Sequence, residues 1–204
     1  QAVKNLSTCD GGMLTTNDVD LAERVRRLRW MGITRETWDR FGQAGINSSS
    51  SWDYDVSEVG FKFQMNDLNA AIGLLQLQKL EEANIRRRKV FLEYGRAFSN
   101  LDWFQCPIEK SYARSSLHAY IARVADRSRL IAHLLEREIT AGVHYKPNHL
   151  HSIYEPYRRK LPITESVWKE LVTLPLYPNM TQEEMGRVIE AVRCFRPTGQ
   201  LLGF

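Results

Sequence analysis

The stretch NDLNAAIGLLQLQKLEEANIRRRKVFLEYGRAF, residues 66–98, limits what this chain can fold into more than any other. Asn66 carries a short acceptor suited to the first unpaired N–H groups of a helix, and Leu68, Ile72 and Leu75 form a helical stripe behind it. Lys, Arg and Glu take over further along. The pattern predicts one helix from near Asn66 to Phe98, more than thirty residues and well beyond an ordinary globular helix. A helix of that length is expected to link two domains or to line a subunit interface.

The two flanks differ. Before the helix, Met13-Leu14-Thr15-Thr16 has the composition of a short strand. Asn17 is a candidate cap for a helix with Asp18 and Asp20 in its first turn, Leu21, Val25 and Leu28 on one face, and arginines near its end, where Gly32 stops it. Residues 32–57 have no sustained period and read as a long ordered excursion, with the serines at 48–51 as loop. After the long helix the pattern is that of a compact α/β module. A strand is expected over Tyr120–Val124, a helix over Ser128–Glu138 with Leu130, Ile131, Leu134 and Leu135 inward, and a short strand over Gly142–Tyr145. Residues 165–171 read as helix and Leu174-Pro175-Leu176 as extended chain. The last helix opens on a capping box, Thr181 and Glu184, with Met185, Val188, Ile189 and Val192 on its buried face.

With 204 residues, 43% of them hydrophobic, the chain can bury a substantial core. It holds no run of eighteen apolar residues and no charged segment leading into a short apolar one, so the reading is soluble and cytoplasmic, without a membrane partner. Cys9, Cys106 and Cys194 are odd in number and far apart, which suits reduced thiols. The net charge of +4 permits an acidic partner, but Arg86 to Lys89 lie among Glu81, Glu82 and Glu93, a solvated or interface face rather than a nucleic-acid patch.

Two groups of residues could carry chemistry. Lys4 sits in VKNLSTCDGG, where Gly11 and Gly12 permit close backbone approach to a bulky ligand, and a neutral lysine amine can form a Schiff base with a carbonyl. Taken by itself, Lys4 reads as an exposed surface lysine. His144, His149 and His151 fall within GVHYKPNHLH; with no Cys or acidic ligand nearby and Pro147 breaking any helical face, they read as polar site-lining or structural residues, and no metal is expected. No P-loop, G-x-G-x-x-G, G-x-S-x-G or H-E-x-x-H motif occurs.

Taken in order, QAVKNLSTCDGGMLTT, RWMGITRETWDRF, WDYDVSEVGFKFQMNDLNAAIGLLQLQKL, GVHYKPNHLHSIY and LPLYPNMTQEEMGRVIEAV resemble the DegT/StrS-type sugar aminotransferases over nearly the whole chain. The resemblance implies an α/β chain that is the C-terminal portion of the aspartate aminotransferase (type I PLP-transferase) fold. On that reading residues 1–60 are a remnant of the large domain, 61–99 a long linking helix and 100–204 a small α/β domain. It also implies a homodimer that uses pyridoxal 5'-phosphate to move an amino group, with glutamate as donor, onto a nucleotide-activated keto-sugar.

Lys4 maps onto the family's internal-aldimine lysine, which reverses the surface reading. Lys62 stands where the family commonly has Asn, at a position resembling a contact to the phosphate bound in the partner subunit, and would serve it as a point charge. Cys9 replaces a usual Gly. His144, Tyr145 and His149 look like substrate-side positions. The family's ring-stacking aromatic, ring-nitrogen carboxylate and most of its phosphate pocket precede the lysine and have no counterpart here, so this chain by itself is expected to be inactive. The alternative to a transaminase is a non-catalytic fragment or assembly module of the same family.

Overall fold

The computed structural model describes residues 1, 3–34 and 53–198. These fall into two units, Gln1–Leu77 and Gln78–Phe204.

In the first unit, helix α1 (Val19–Arg29) opens on Asp18, not Asn17: the Asp18 carboxylate accepts from the Leu21 N–H at 3.0 Å. The Asp18 N–H in turn donates to Thr16 Oγ1 at 3.1 Å, so Thr16 turns the chain into the helix where a strand was expected. Met13–Thr16 forms no strand and has no ladder partner among the described residues, and Met13 is 87% exposed. The segment 35–52, including the four serines, lies outside the described residues. The two ends of the expected excursion pair instead: Ile33 bridges Val56, and the Thr34 N–H donates to the Asp55 carbonyl at 2.9 Å.

Helix α2 (Asp67–Phe98) runs from the first unit into the second. Asn66 caps it as its side chain predicts, accepting from the Asn69 N–H at 2.9 Å. The expected stripe is not a core: Leu68 is 79% exposed and Leu75 is also exposed, whereas the buried positions are Arg87, Val90, Tyr94 and Phe98.

The second unit is built on a three-stranded antiparallel sheet in the order β1 (Phe104–Gln105), β2 (Tyr120–Val124), β3 (Leu171–Leu174). β2 alternates as a half-buried strand should, with Tyr120, Ala122 and Val124 inward. Onto that face pack Tyr94 and Phe98 of α2, Leu130 and Leu134 of α3 (Arg127–Leu135), and Met185, Val188 and Val192 of α5 (Gln182–Cys194). The Thr181–Glu184 capping box is present in both directions. The core is ring-rich: Tyr94 meets Tyr120 edge-on at 5.1 Å between centroids, and Phe98 lies 4.8 Å from Phe104. Burial raises the pKa of the Tyr94 phenol, which donates to the Pro175 carbonyl at 3.0 Å.

Three boundaries depart from the sequence pattern. α3 stops at Leu135, which is 64% exposed rather than inward, because Glu138 takes a positive φ of 61° and the chain turns back. Gly142–Tyr145 is a single bridge, Gly142 to Thr173, not a strand. Helix α4 (Pro162–Glu170) yields at Leu171, whose backbone pairs with Arg123 of β2. Across that junction Arg123 and the buried Glu170 form an ion pair at 2.6 Å.

Phe98→Ala is expected to lower the unfolding free energy by about 3–5 kcal/mol, read from denaturant melts as a fall in midpoint at constant slope. A second prediction concerns acid. Arg88 grips both oxygens of Glu109 at 2.6 and 3.1 Å, and the Ser115 N–H adds a bond at 2.6 Å. The Arg88 hydrogen bond, then that of Ser115, holds the Glu109 carboxyl at about 2 instead of the ordinary 4.5. The stability this gives is whole above pH 4.5 and is lost as pH falls toward 2. Glu109→Gln should therefore flatten the acid limb of a melting-temperature profile between those values.

Candidate functional site

Lys4 lies in a turn, its own N–H donating to the Gln1 carbonyl at 3.2 Å. Its side chain is exposed and has no hydrogen bond or ion pair with a described residue. The turn beyond it is organised by Thr8 and Asp10: Thr8 Oγ1 donates to the Asp10 carbonyl at 3.1 Å, and Asp10 Oδ1 accepts from the Gly11 N–H at 3.1 Å. Asn69 of α2 donates to the same Asp10 carbonyl at 3.2 Å, tying the turn to the helix. Cys9, at the position where the resemblance leads one to expect Gly, takes a φ of 63°, so the turn does adopt the conformation that glycine supplies without cost.

Lys62 is placed by a backbone contact that only glycines allow. Gly32 has a φ of +75°, and a Cβ there would lie 1.8 Å from the Glu58 carbonyl oxygen; a Cβ on Gly60 would lie 2.2 Å from the Gly32 nitrogen. This approach lets Met31 donate to Phe61 at 3.0 Å and Phe61 donate to Leu28 at 2.7 Å, and it aligns Trp30 with Lys62 in an antiparallel bridge. The Lys62 ammonium then stands 3.3 Å above the Trp30 ring centroid and donates to Gln64 Oε1 at 3.2 Å. Trp30 was not singled out from the sequence; its contact with Lys62 spans thirty-two positions and has no local signature.

In the second unit the GVHYKPNH segment is pinned at two histidines. Gly142 and Thr173 exchange backbone hydrogen bonds at 3.0 and 2.7 Å, and His144 Nδ1 lies 2.8 Å from Thr173 Oγ1. Tyr145 stands edge-on to His144 at 4.5 Å between centroids, and its side chain is exposed. His149, with only 12% of its side chain exposed, places Nε2 3.1 Å from Glu165 Oε1. That oxygen also accepts from the Leu161 N–H at 3.1 Å. The Leu161 bond, then His149, lowers the pKa of the Glu165 carboxyl. Glu165 is a residue that sequence reading placed only on a helix. The structure thus brings His144 and Tyr145 together and holds His149 on a separate anchor. Among the described residues no cluster of three His, Cys, Asp or Glu side chains is arranged to hold a metal ion, and no helix is long and apolar enough to cross a membrane.

Residues 1–193 match the DegT/DnrJ/EryC1/StrS aminotransferase family. The spore coat polysaccharide biosynthesis protein SpsC of Bacillus subtilis is 36% identical over 203 residues, covering 94% of this chain and 51% of SpsC. The sugar aminotransferase CalS13 of Micromonospora echinospora superposes with a TM-score of 0.80 at 27% identity, over 93% of this chain and 48% of CalS13. DesV of S. venezuelae, solved in complex with a ketimine intermediate, gives a TM-score of 0.74 at 27% identity, over 88% of this chain and 45% of DesV. The chain spans about half the length of the curated relatives it matches. Its fold is the corresponding part of an aspartate aminotransferase-like α/β fold.

Gly32→Ala should part the two backbones that seat Lys62. A strained positive φ and a backbone clash together cost at least about 1–3 kcal/mol. Amide exchange at Met31 and Phe61 is expected to accelerate about tenfold or more, and unchanged protection at both amides would contradict the steric argument.

Proposed function

The chain belongs to the DegT/DnrJ/EryC1/StrS aminotransferase family, and on that premise we propose that it takes part in pyridoxal phosphate-dependent transamination of a nucleotide-activated keto-sugar, with glutamate as amino donor. The observation that carries this reading is the family match over residues 1–193, within which Lys4 stands as an exposed primary amine, unclaimed by any described partner, ahead of a turn built by Thr8, Asp10 and Gly11.

Of the groups that would hold the cofactor, this chain supplies the lysine. A lysine amine is the group that joins an aldehyde, and the absence of a competing carboxylate among the described residues leaves Nζ able to do so. Gly12 has open space around the position of a Cβ, so the backbone there admits a close neighbour. Pyridoxal phosphate, when bound, supplies a ring that withdraws electrons from the carbon bearing the amino group. Lys4 is the residue that would hold it, and its Nζ, once released, can accept a proton from that carbon and return it as general base and acid. Lys62, an exposed ammonium oriented by Trp30 and Gln64, would meet the cofactor phosphate of a partner subunit in a homodimer. His144, Tyr145 and His149 would face the sugar. Residues 1–60 are read as the end of the large cofactor-binding domain, 61–99 as the linking helix and 100–204 as the small domain, in a cytoplasmic enzyme.

The test is covalent. Because this chain by itself is expected to be inactive, the protein is expressed in its full gene context, incubated with pyridoxal phosphate, reduced with borohydride and mapped by peptide mass, in parallel with transfer of label from [15N]glutamate to thymidine- and uridine-diphosphate keto-sugars. Attachment is expected at Lys4, and Lys4→Ala should abolish it and cut transfer by about 10²–10⁴-fold. Attachment at another lysine, or full transfer by Lys4→Ala, would overturn the reading. A protein that neither binds the cofactor nor transfers label would be the non-catalytic module.

A further inference from the structure

We infer that Glu165 is a positioning residue that fixes His149 as its Nε2–H tautomer and so presents Nδ1 as a hydrogen-bond acceptor for a hydroxyl of the sugar. This rests on the reading of His149 as a substrate-side residue, and it names the group that makes His149 usable in that role.

Ionised Glu165 has lone pairs only, so the 3.1 Å contact between its Oε1 and His149 Nε2 requires the proton on Nε2. The neutral ring carries one N–H, and Nδ1 is therefore left with its lone pair outward from this bond. His144 differs: its Nδ1 meets the Thr173 hydroxyl, which can donate or accept, so either tautomer satisfies the contact. Of the two histidines bonded in this segment, only His149 has its donor and acceptor ends assigned by its partner.

Position is fixed along with protonation. Glu165 Oε1 simultaneously accepts from the Leu161 N–H, one of the unpaired donors at the start of α4. The same oxygen therefore joins the histidine to a helix end. On the other side Arg158 Nε reaches the His149 carbonyl at 3.4 Å. Between these anchors the chain runs through two short 3-10 segments, Asn148–Leu150 and Ser152–Tyr157, whose side chains are largely exposed. His149, half-buried like its neighbour Leu150, holds the segment to α4 through Glu165.

Two variants separate position from fold. Glu165→Gln keeps the shape and lets its amide present either oxygen or N–H to the ring, admitting both tautomers; Glu165→Leu removes the acceptor. Long-range 1H–15N correlation spectra of the histidine rings read the tautomer directly. In the unsubstituted protein His149 is expected to show a protonated Nε2 and a bare Nδ1, Glu165→Gln a mixture, and Glu165→Leu loss of the Nε2–H preference with the other ring signals in place. For the keto-sugar that passes the transfer assay, KM should rise as the Nε2–H fraction falls, about twofold for an even mixture in Glu165→Gln and at least as much in Glu165→Leu, with kcat nearly unchanged.

A His149 protonated on Nδ1 in the unsubstituted protein, or a tautomer indifferent to both substitutions, would overturn the inference. So would an unchanged KM in the Glu165 variants where His149→Ala raises it. If His149→Ala itself leaves KM unchanged while the spectra behave as expected, the substrate-side reading of His149 fails and the positioning role falls with it, although the Glu165 bond stands.

Discussion

The contact between Tyr94 of α2 and Tyr120 of β2 is the joint on which the second unit depends. Both side chains are fully buried, and the Tyr94 hydroxyl reaches past the ring contact to the Pro175 carbonyl, just beyond β3. One residue therefore fixes the helix against the middle strand and against the exit of the next. With β2 placed, its register sets Ile121 opposite Thr173 and Arg123 opposite Leu171. Thr173 then pairs with Gly142 and receives the His144 ring. The end of α4 is fixed by the same register through Arg123 and Glu170, and α4 carries Glu165 to His149. The histidine positions are thus the far end of a chain of contacts that starts in an aromatic core.

What the sequence made legible follows periodicity. α2 and α5 each combine a repeated apolar spacing with a boundary signal, and these and the expected strand β2 are found close to their expected limits. Boundaries set by tertiary contacts were not legible. Leu171 continues a helical pattern, yet strand pairing with Arg123 gives its backbone a better partner than another helical turn would. Leu135 fits the inward stripe of α3, but the positive φ of Glu138 ends that helix early. β1 has only two residues, too few to show alternation. Leu68 and Leu75 illustrate the converse: spacing correctly predicts the helix, but the spacing of apolar residues does not say what covers them.

The site divides along the same line. Lys4 is singled out by several ordered motifs that agree on it, not by its surroundings; in the structure it is an exposed side chain on a turn. The role proposed for it is chemical and would leave little trace in burial. Glu165 is the opposite case. Its spacing from His149 is sixteen residues across two 3-10 segments, and nothing in the local pattern distinguishes it from any glutamate near a helix start. A signal did exist in principle, since a glutamate in the first turn can reach back to the N–H before the helix, but that predicts only the Leu161 bond.

The phosphate contact proposed for Lys62, where the resemblance puts an Asn, would rest on a different physics. An Asn offers a neutral amide, held by its own short side chain; a lysine is longer and would lose more side-chain freedom on binding. Here that cost is met beforehand by the Trp30 ring, whose face attracts the ammonium by about 0.5–1 kcal/mol at an exposed site, and by the bond to Gln64. An ammonium has three donors, and Gln64 uses one. The charge is therefore oriented without being neutralised, because neither an aromatic face nor an amide oxygen carries a formal negative charge. A phosphate arriving at Lys62 would gain a charge-assisted bond where an Asn would give a neutral one, and the backbone approach of Gly32 to Gly60 decides whether that charge is in place.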